Sequence, residues 1–102
     1  MSPKAVQFEE IYLCAVLSTA YLTEADKAEL SRMAAAHDAT MVFERETGFL
    51  IKLYEESEYL ESECAGLSPY ALDALRAAHA LGIRLVEFDA DGPEVGGLVQ
   101  PS

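Results

Sequence analysis

Apolar and polar positions change period several times along the chain. Residues 11-IYLCAVL-17 are continuously apolar and rich in β-branched and aromatic side chains, which predicts a buried strand. In 23-TEADKAELSRMAAAH-37 the apolar positions recur at helical spacing, with Leu30, Met33, Ala34 and His37 on one face. Thr23 is a good N-cap, Asp26 follows three residues later, and acids fill the first turn, where the helix dipole favours them. Two short runs, 41-MVFERE-46 and 49-FLIKLY-54, flank Thr47-Gly48 and predict a hairpin in which Gly48 supplies a positive φ. In the second run Phe49, Ile51 and Leu53 share one face.

Ser68-Pro69 pairs an N-cap with a proline at the first helical position, so a helix is predicted over 69–81, stopped by Gly82 as a left-handed cap. A last strand follows at 83-IRLVEFD-89. The Gly/Pro-rich tail, 90–102, reads as an ordered turn followed by loop. The stretch 55–67 is long for a connection. Leu53, Leu60, Cys64 and Leu67 fall on one helical face, so a short extra helix fits there, with Glu55, Glu58 and Glu61 pointing outward.

The order β-α-β-β-α-β within 102 residues predicts one α+β domain, residues 1–102, with an N-terminal segment over 1–10. With right-handed crossovers the simplest arrangement is a ferredoxin-like sandwich, a four-stranded antiparallel sheet with two helices on one face. At 51% hydrophobic the chain is too apolar for intrinsic disorder, yet no apolar run approaches the roughly 20 residues of a membrane span. The start, MSPKAVQFEE, does not read as a secretory signal. Cys14 and Cys64 stand in unrelated contexts outside any CxxC pair and read as reduced thiols, so a cytoplasmic location is expected.

Charge sharpens this picture. Eighteen acids against seven bases give a net charge of −11. Direct binding to nucleic acid or an anionic membrane is disfavoured, since phosphate contacts need Lys and Arg, and a basic partner is favoured instead. The acids concentrate in 54-YEESEYLESE-63, and no Lys or Arg lies between Lys52 and Arg76.

The segments 17-LSTAYLTEAD-26, 48-GFLI-51 and 85-LVEFDADGPEVGGL-98 resemble a family of small acidic proteins from bacterial plasmids and phages. That family shares an LSTAHLT-like opening, a GFF/GFL strand and an FDxDGP-like close; here Tyr21 stands where His is expected. The resemblance implies a mobile-element origin, with an inhibitor of anti-CRISPR or anti-restriction type as the expectation. It carries over no catalytic residue.

Candidate chemistry is sparse. The turn 89-DADGPE-94 suggests a calcium loop, but counting from Asp89 puts Pro93 at position 5, Glu94 at 6 and Gln100 at 12, which breaks the EF-hand pattern. A tight turn closed by Asp side chains is the better reading, and a small ligand or metal site there ranks third among the functions. His37 and His79 lie near helix C-termini, where they suit the dipole. Ser18-Thr19 has neither a nucleophile elbow nor a base at a telling spacing. No catalytic residue, metal site or cofactor is therefore expected.

The leading expectation is a non-enzymatic inhibitor whose acidic surface imitates nucleic acid and occupies the groove of a host defence nuclease or CRISPR surveillance complex. Carboxylates at i, i+3 and i+4 stand about 5–6 Å apart, close to the spacing of phosphates along one strand. The surface expected to bind this partner comprises Glu55, Glu56, Glu58, Glu61 and Glu63 with Tyr59 as an aromatic anchor, joined by Glu87, Asp89, Asp91 and Glu94. The alternative is a small homodimeric interaction module with a merely solubilising acidic surface, its helices packed through their many alanines.

Overall fold

A computed structural model of the chain describes residues 5–36 and 42–102. The elements are β1 (Cys14–Ser18), α1 (Glu24–Ala35), β2 (Val42–Arg45), β3 (Gly48–Lys52), α2 (Glu58–Glu63), α3 (Pro69–Ala80) and β4 (Leu85–Asp89), with a 3-10 turn at Thr19–Tyr21. This is a small α+β fold with a four-stranded sheet and three α-helices. His37 and Met41, expected to close the first helix and open the second strand, lie outside the described residues.

The helix ends form where local chemistry puts them. Thr23 Oγ1 accepts from the Asp26 N–H and the Asp26 carboxylate accepts from the Thr23 N–H, both at 2.9 Å, a complete capping box. Ser68 caps α3 through its hydroxyl, with Pro69 in the first turn. Gly82, at φ 79°, ends α3 in the left-handed region. The extra helix expected in 55–67 is α2, and Leu53, Leu60, Cys64 and Leu67 are all buried beneath it.

The sheet corrects the antiparallel expectation. Its order is β1-β4-β3-β2. β3 runs antiparallel to both β2 and β4, but β1 pairs with β4 in parallel, Cys14 opposite Leu85 and Ser18 opposite Asp89. The sheet is mixed, and β4 rather than β1 takes the inner position. Two glycines make this placement sterically feasible. A Cβ on Gly48 would stand 1.8 Å from the Phe88 carbonyl oxygen, and one on Gly92 would stand 2.5 Å from that of Leu17. Backbone thus crowds β4 from both sides, where only glycine fits. Gly48 begins β3 and does not adopt the positive φ expected of it; Glu46 and Thr47 make the turn.

The helices cover one sheet face. Leu17, Val86, Phe88, Phe49, Ile51 and Val42 point into it and meet Leu30, Met33, Leu60, Leu75 and Ala71 in a single core. Each large side chain so buried contributes roughly 1.5–3 kcal/mol. Ala71, Ala74 and Ala78 lie inside this core, so these α3 alanines serve helix–sheet packing. The buried strand expected over 11–17 is corrected too. β1 starts at Cys14, has one neighbour, and leaves Ile11 79% and Leu13 65% exposed, beyond the reach of the helix layer.

One buried polar residue joins the two long helices. Asp26 is 1% exposed. Besides its own cap, its Oδ1 accepts from the Ser68 N–H at 2.7 Å and its Oδ2 from the Ser68 hydroxyl at 2.6 Å. That hydroxyl in turn accepts from the Ala71 N–H. Burial alone pushes the carboxyl up, but the hydrogen bonds from Ser68 and Thr23 outweigh it and hold it below its ordinary value of 3.8. Its stabilising contribution is therefore complete above about pH 4 and is lost as pH falls through the lower folded-state value. Asp26→Asn places an amide donor against donors; we expect a loss of about 2–4 kcal/mol at neutral pH. Urea unfolding from pH 7 to 2 checks this, with wild-type and variant stabilities converging at the acid end.

Candidate functional site

The acidic stretch is anchored to the body at three points. His79, in the last turn of α3, donates through Nε2 to the carbonyls of Tyr54 and Glu55, at 3.0 and 2.9 Å. Leu60 and Cys64 sink the inner face of α2 into the core. Arg76 reaches from α3 to grip Glu61 with two hydrogen bonds, at 2.9 and 2.8 Å. Tyr54 and Tyr59 form an edge-to-face pair with ring centroids 4.7 Å apart. Tyr59 thus packs against its neighbour and is half-buried.

These contacts divide the expected binding surface. Glu61 is paired with Arg76, across a separation of 15 residues, and the hydrogen bond from Arg76 holds its carboxyl below the ordinary value of 4.5, with burial opposing. Glu87 lies on the helix-free sheet face and pairs with Arg45 at 2.7 Å. Asp89 is consumed by the turn: Oδ1 accepts from the Asp91 N–H at 2.8 Å and Oδ2 from the Thr47 hydroxyl at 3.1 Å. That turn is the one expected from Asp side chains. Asp91 and Glu94 remain exposed beyond it.

The two acidic groups also leave opposite ends of the β3–β4 ladder. Lys52 lies opposite Leu85 and Gly48 opposite Asp89, so four residues, about 13 Å, separate those ends. The chain enters 54–63 at the Lys52 end, whereas Asp91 and Glu94 follow from the Asp89 end. The expected continuous track is not formed. What remains is a lobe of Glu55, Glu56, Glu58 and Glu63, all exposed and none ion-paired among the described residues.

None of the described bases pairs with these four carboxylates. Of the 7 Lys and Arg, Lys4 lies outside the described residues. Lys27, Arg32, Arg45 and Arg76 pair with Glu24, Glu29, Glu87 and Glu61. Lys52 stands over the Tyr12 ring at 5.2 Å, and Arg84 donates to the carbonyls of His79 and Ile83. Among the described residues no cation pairs with Glu55, Glu56, Glu58 or Glu63, and the one that reaches the stretch, Arg76, binds Glu61.

Other candidate chemistry resolves into structure. Ser18 caps the 3-10 turn, accepting from the Ala20 N–H at 3.0 Å. Tyr21, which sequence reasoning noted only as a departure from a His, is 1% exposed. Its hydroxyl accepts from the Val95 N–H at 2.7 Å and donates to the Val95 carbonyl at 3.1 Å, fixing the tail. A shallow depression at the hairpin end is bordered by Lys27, Glu44, Arg45 and Glu46; its two bases pair with Glu24 and Glu87, and Glu44 accepts from the Ser31 hydroxyl at 3.0 Å. Among the described residues no three His, Cys, Asp or Glu side chains are placed to hold a metal ion. No described helix is long and apolar enough to cross a membrane.

A family model described as the C-terminal domain of a family of unknown function, DUF5983, matches residues 14–100. The chain belongs to the DUF5983 family. No curated protein and no solved structure matches it. The DUF5983 match begins at the first residue of β1 and runs through the tail that Tyr21 holds, so it spans the whole core. It leaves out the exposed arm over 5–13.

Both cysteines of this DUF5983 domain are free. Burial pushes the Cys64 thiol up to about 11, with Glu63 and Glu61 adding to the shift. Burial and Glu87 raise Cys14 as well. Neither has the lowered pKa of a reactive nucleophile. In a maleimide titration we expect one thiol, Cys14, to react in the native protein and Cys64 only after unfolding; two equivalents consumed under native conditions would contradict the burial of Cys64.

Proposed function

We propose that this domain is a non-enzymatic protein-binding module that docks on a basic, nucleic-acid-binding partner through the lobe around α2. In its specific form the reading is an inhibitor carried by a mobile genetic element, which enters the DNA or RNA groove of a host defence nuclease or CRISPR surveillance complex. The observation that carries it is the lobe itself. Among the described residues Glu55, Glu56, Glu58 and Glu63 form no ion pair, and the one described base that reaches this stretch, Arg76, is bound to Glu61.

Two carboxylates about 6 Å apart in water repel by roughly 0.7 kcal/mol, less after salt screening. A Lys/Arg-lined groove converts that repulsion into attraction and steers encounter. The His79 and Leu60 anchors support the reading, because a fixed array loses little freedom on binding. Glu87, Asp89, Asp91 and Glu94 have no part in it, since the first two are already bonded and the last two lie at the other end of the sheet.

Binding to a purified defence complex, followed by competition against its own duplex substrate, tests this directly. Wild type should compete, with affinity falling steeply as salt rises. The quadruple variant Glu55→Gln, Glu56→Gln, Glu58→Gln and Glu63→Gln should bind at least about tenfold more weakly, a loss of about 1.4 kcal/mol, with its circular dichroism unchanged. Undiminished binding by that variant would sink the mimic.

A further inference from the structure

The outer edge of β1 is unlike the rest of this surface. In a chain of net charge −11, residues 11–23 hold no charged side chain. Ile11, Leu13 and Val16 are 79%, 65% and 43% exposed. Edge strands are ordinarily guarded by charge, and the opposite edge, β2, carries Glu44 and Arg45. β1 carries no such guard.

Its backbone is also available. The Leu13 carbonyl accepts from the Leu85 N–H at 3.1 Å, so in the parallel ladder residues 13, 15 and 17 bond inward to β4. Cys14 and Val16 then turn their N–H and C=O groups outward, and no described strand lies beside them. At Ser18 the outward N–H is met by the Pro93 carbonyl at 2.9 Å, which ends the free edge. Side chains alternate accordingly. Tyr12 lies on the helix-free face, over Lys52, while Ala15 and Leu17 face the helices and border an apolar groove with Ala74, Ala78, Leu81 and Leu98.

We propose that two copies of this chain pair their β1 strands antiparallel about a two-fold axis at Cys14. The free edge runs from residue 12 to residue 16, and Cys14 is its centre. That register sets Tyr12 opposite the partner's Val16, Leu13 opposite the partner's Ala15 and Ile11 opposite the partner's Leu17. By alternation Ile11 and Leu13 fall on the helix side, against the partner's groove, so both exposed side chains gain the cover their own copy does not give them. A two-fold contact is isologous, so the strip must complement itself, and an uncharged strip does. It lets two chains of −11 pair over a segment, 11–17, that carries no carboxylate of its own, with Glu10, bonded to the Tyr12 hydroxyl, at its rim where salt screens it. None of the acidic lobe takes part, so the dimer is independent of the binding function proposed for α2.

Sedimentation equilibrium of the full chain tests this. Wild type is expected at twice the chain mass of 11.1 kDa. The double variant Ile11→Glu and Leu13→Glu is expected at the single-chain mass with unchanged far-UV circular dichroism, because both side chains are exposed in one copy. A short bis-maleimide should join two wild-type chains through Cys14 and fail with Cys14→Ser. A wild type that stays single at high micromolar concentration overturns the proposal. So does a double variant that remains paired, a dimer that Cys14 cannot cross-link, or an open-ended larger species.

Discussion

The Asp26 carboxylate is the contact on which the arrangement of helices over the sheet depends. A helix N-terminus leaves unpaired N–H groups, and α1 and α3 bring two such ends to the same buried place. One side chain serves both. Asp26 completes the α1 cap with Thr23 and accepts from the backbone and hydroxyl of Ser68, the cap of α3. Burying a carboxylate costs several kcal/mol unless its oxygens are bonded, and here three donors converge on it. The two helix starts are thereby locked at one end of the sheet, and the positions of Leu30, Met33, Leu75 and Ala71 over the strands follow from that.

The strands are set by crowding rather than by polar contacts. Gly48 and Gly92 let backbone approach β4 from both sides, and the inner strand then buries Val86 and Phe88 with partners on either hand. The tail beyond Gly92 is drawn back by Ser18 and Tyr21, so residues 93–98 flank β1 rather than trailing away. The segments 17–26, 48–51 and 85–98 contain Asp26, Tyr21, Gly48, Gly92 and Val95, residues that hold this fold, so these stretches speak to architecture before activity.

Most of what depended on near neighbours was legible in the sequence. The Thr23–Asp26 box, Ser68-Pro69, the Gly82 cap and the apolar face of α2 each lie within a few residues, where spacing alone decides. What escaped involved distance along the chain. A ferredoxin-like antiparallel sheet and this mixed one are built from the same run of strands and long helices; they differ in whether β1 or β4 lies inside and in the direction in which β4 runs. The residue that marks the inner place of β4 is Gly48, which its hairpin composition with Thr47 presents as a turn residue. The Arg76–Glu61 and Arg45–Glu87 pairs span 15 and 42 residues, so no local pattern showed that two of the acids were already balanced. Nor could spacing tell that the lobe and the Asp89 turn leave opposite ends of one ladder.

Charge distribution ties these observations together. A chain of −11 resists compaction and self-association, and an even spread of acids would minimise both penalties. This fold does the reverse. It gathers glutamates on and beside α2, where of the described bases only Arg76 forms an ion pair, with Glu61, and leaves one strand edge with no charge at all. Repulsion within the lobe is tolerable because salt and water screen it. An apolar edge in a strongly anionic protein is protected from unlike neighbours by the surrounding field, yet remains open to a surface that matches it and carries no charge of its own. The same imbalance that makes the lobe attractive to a basic groove therefore limits what can reach β1, and the two surfaces select different partners by the same electrostatics.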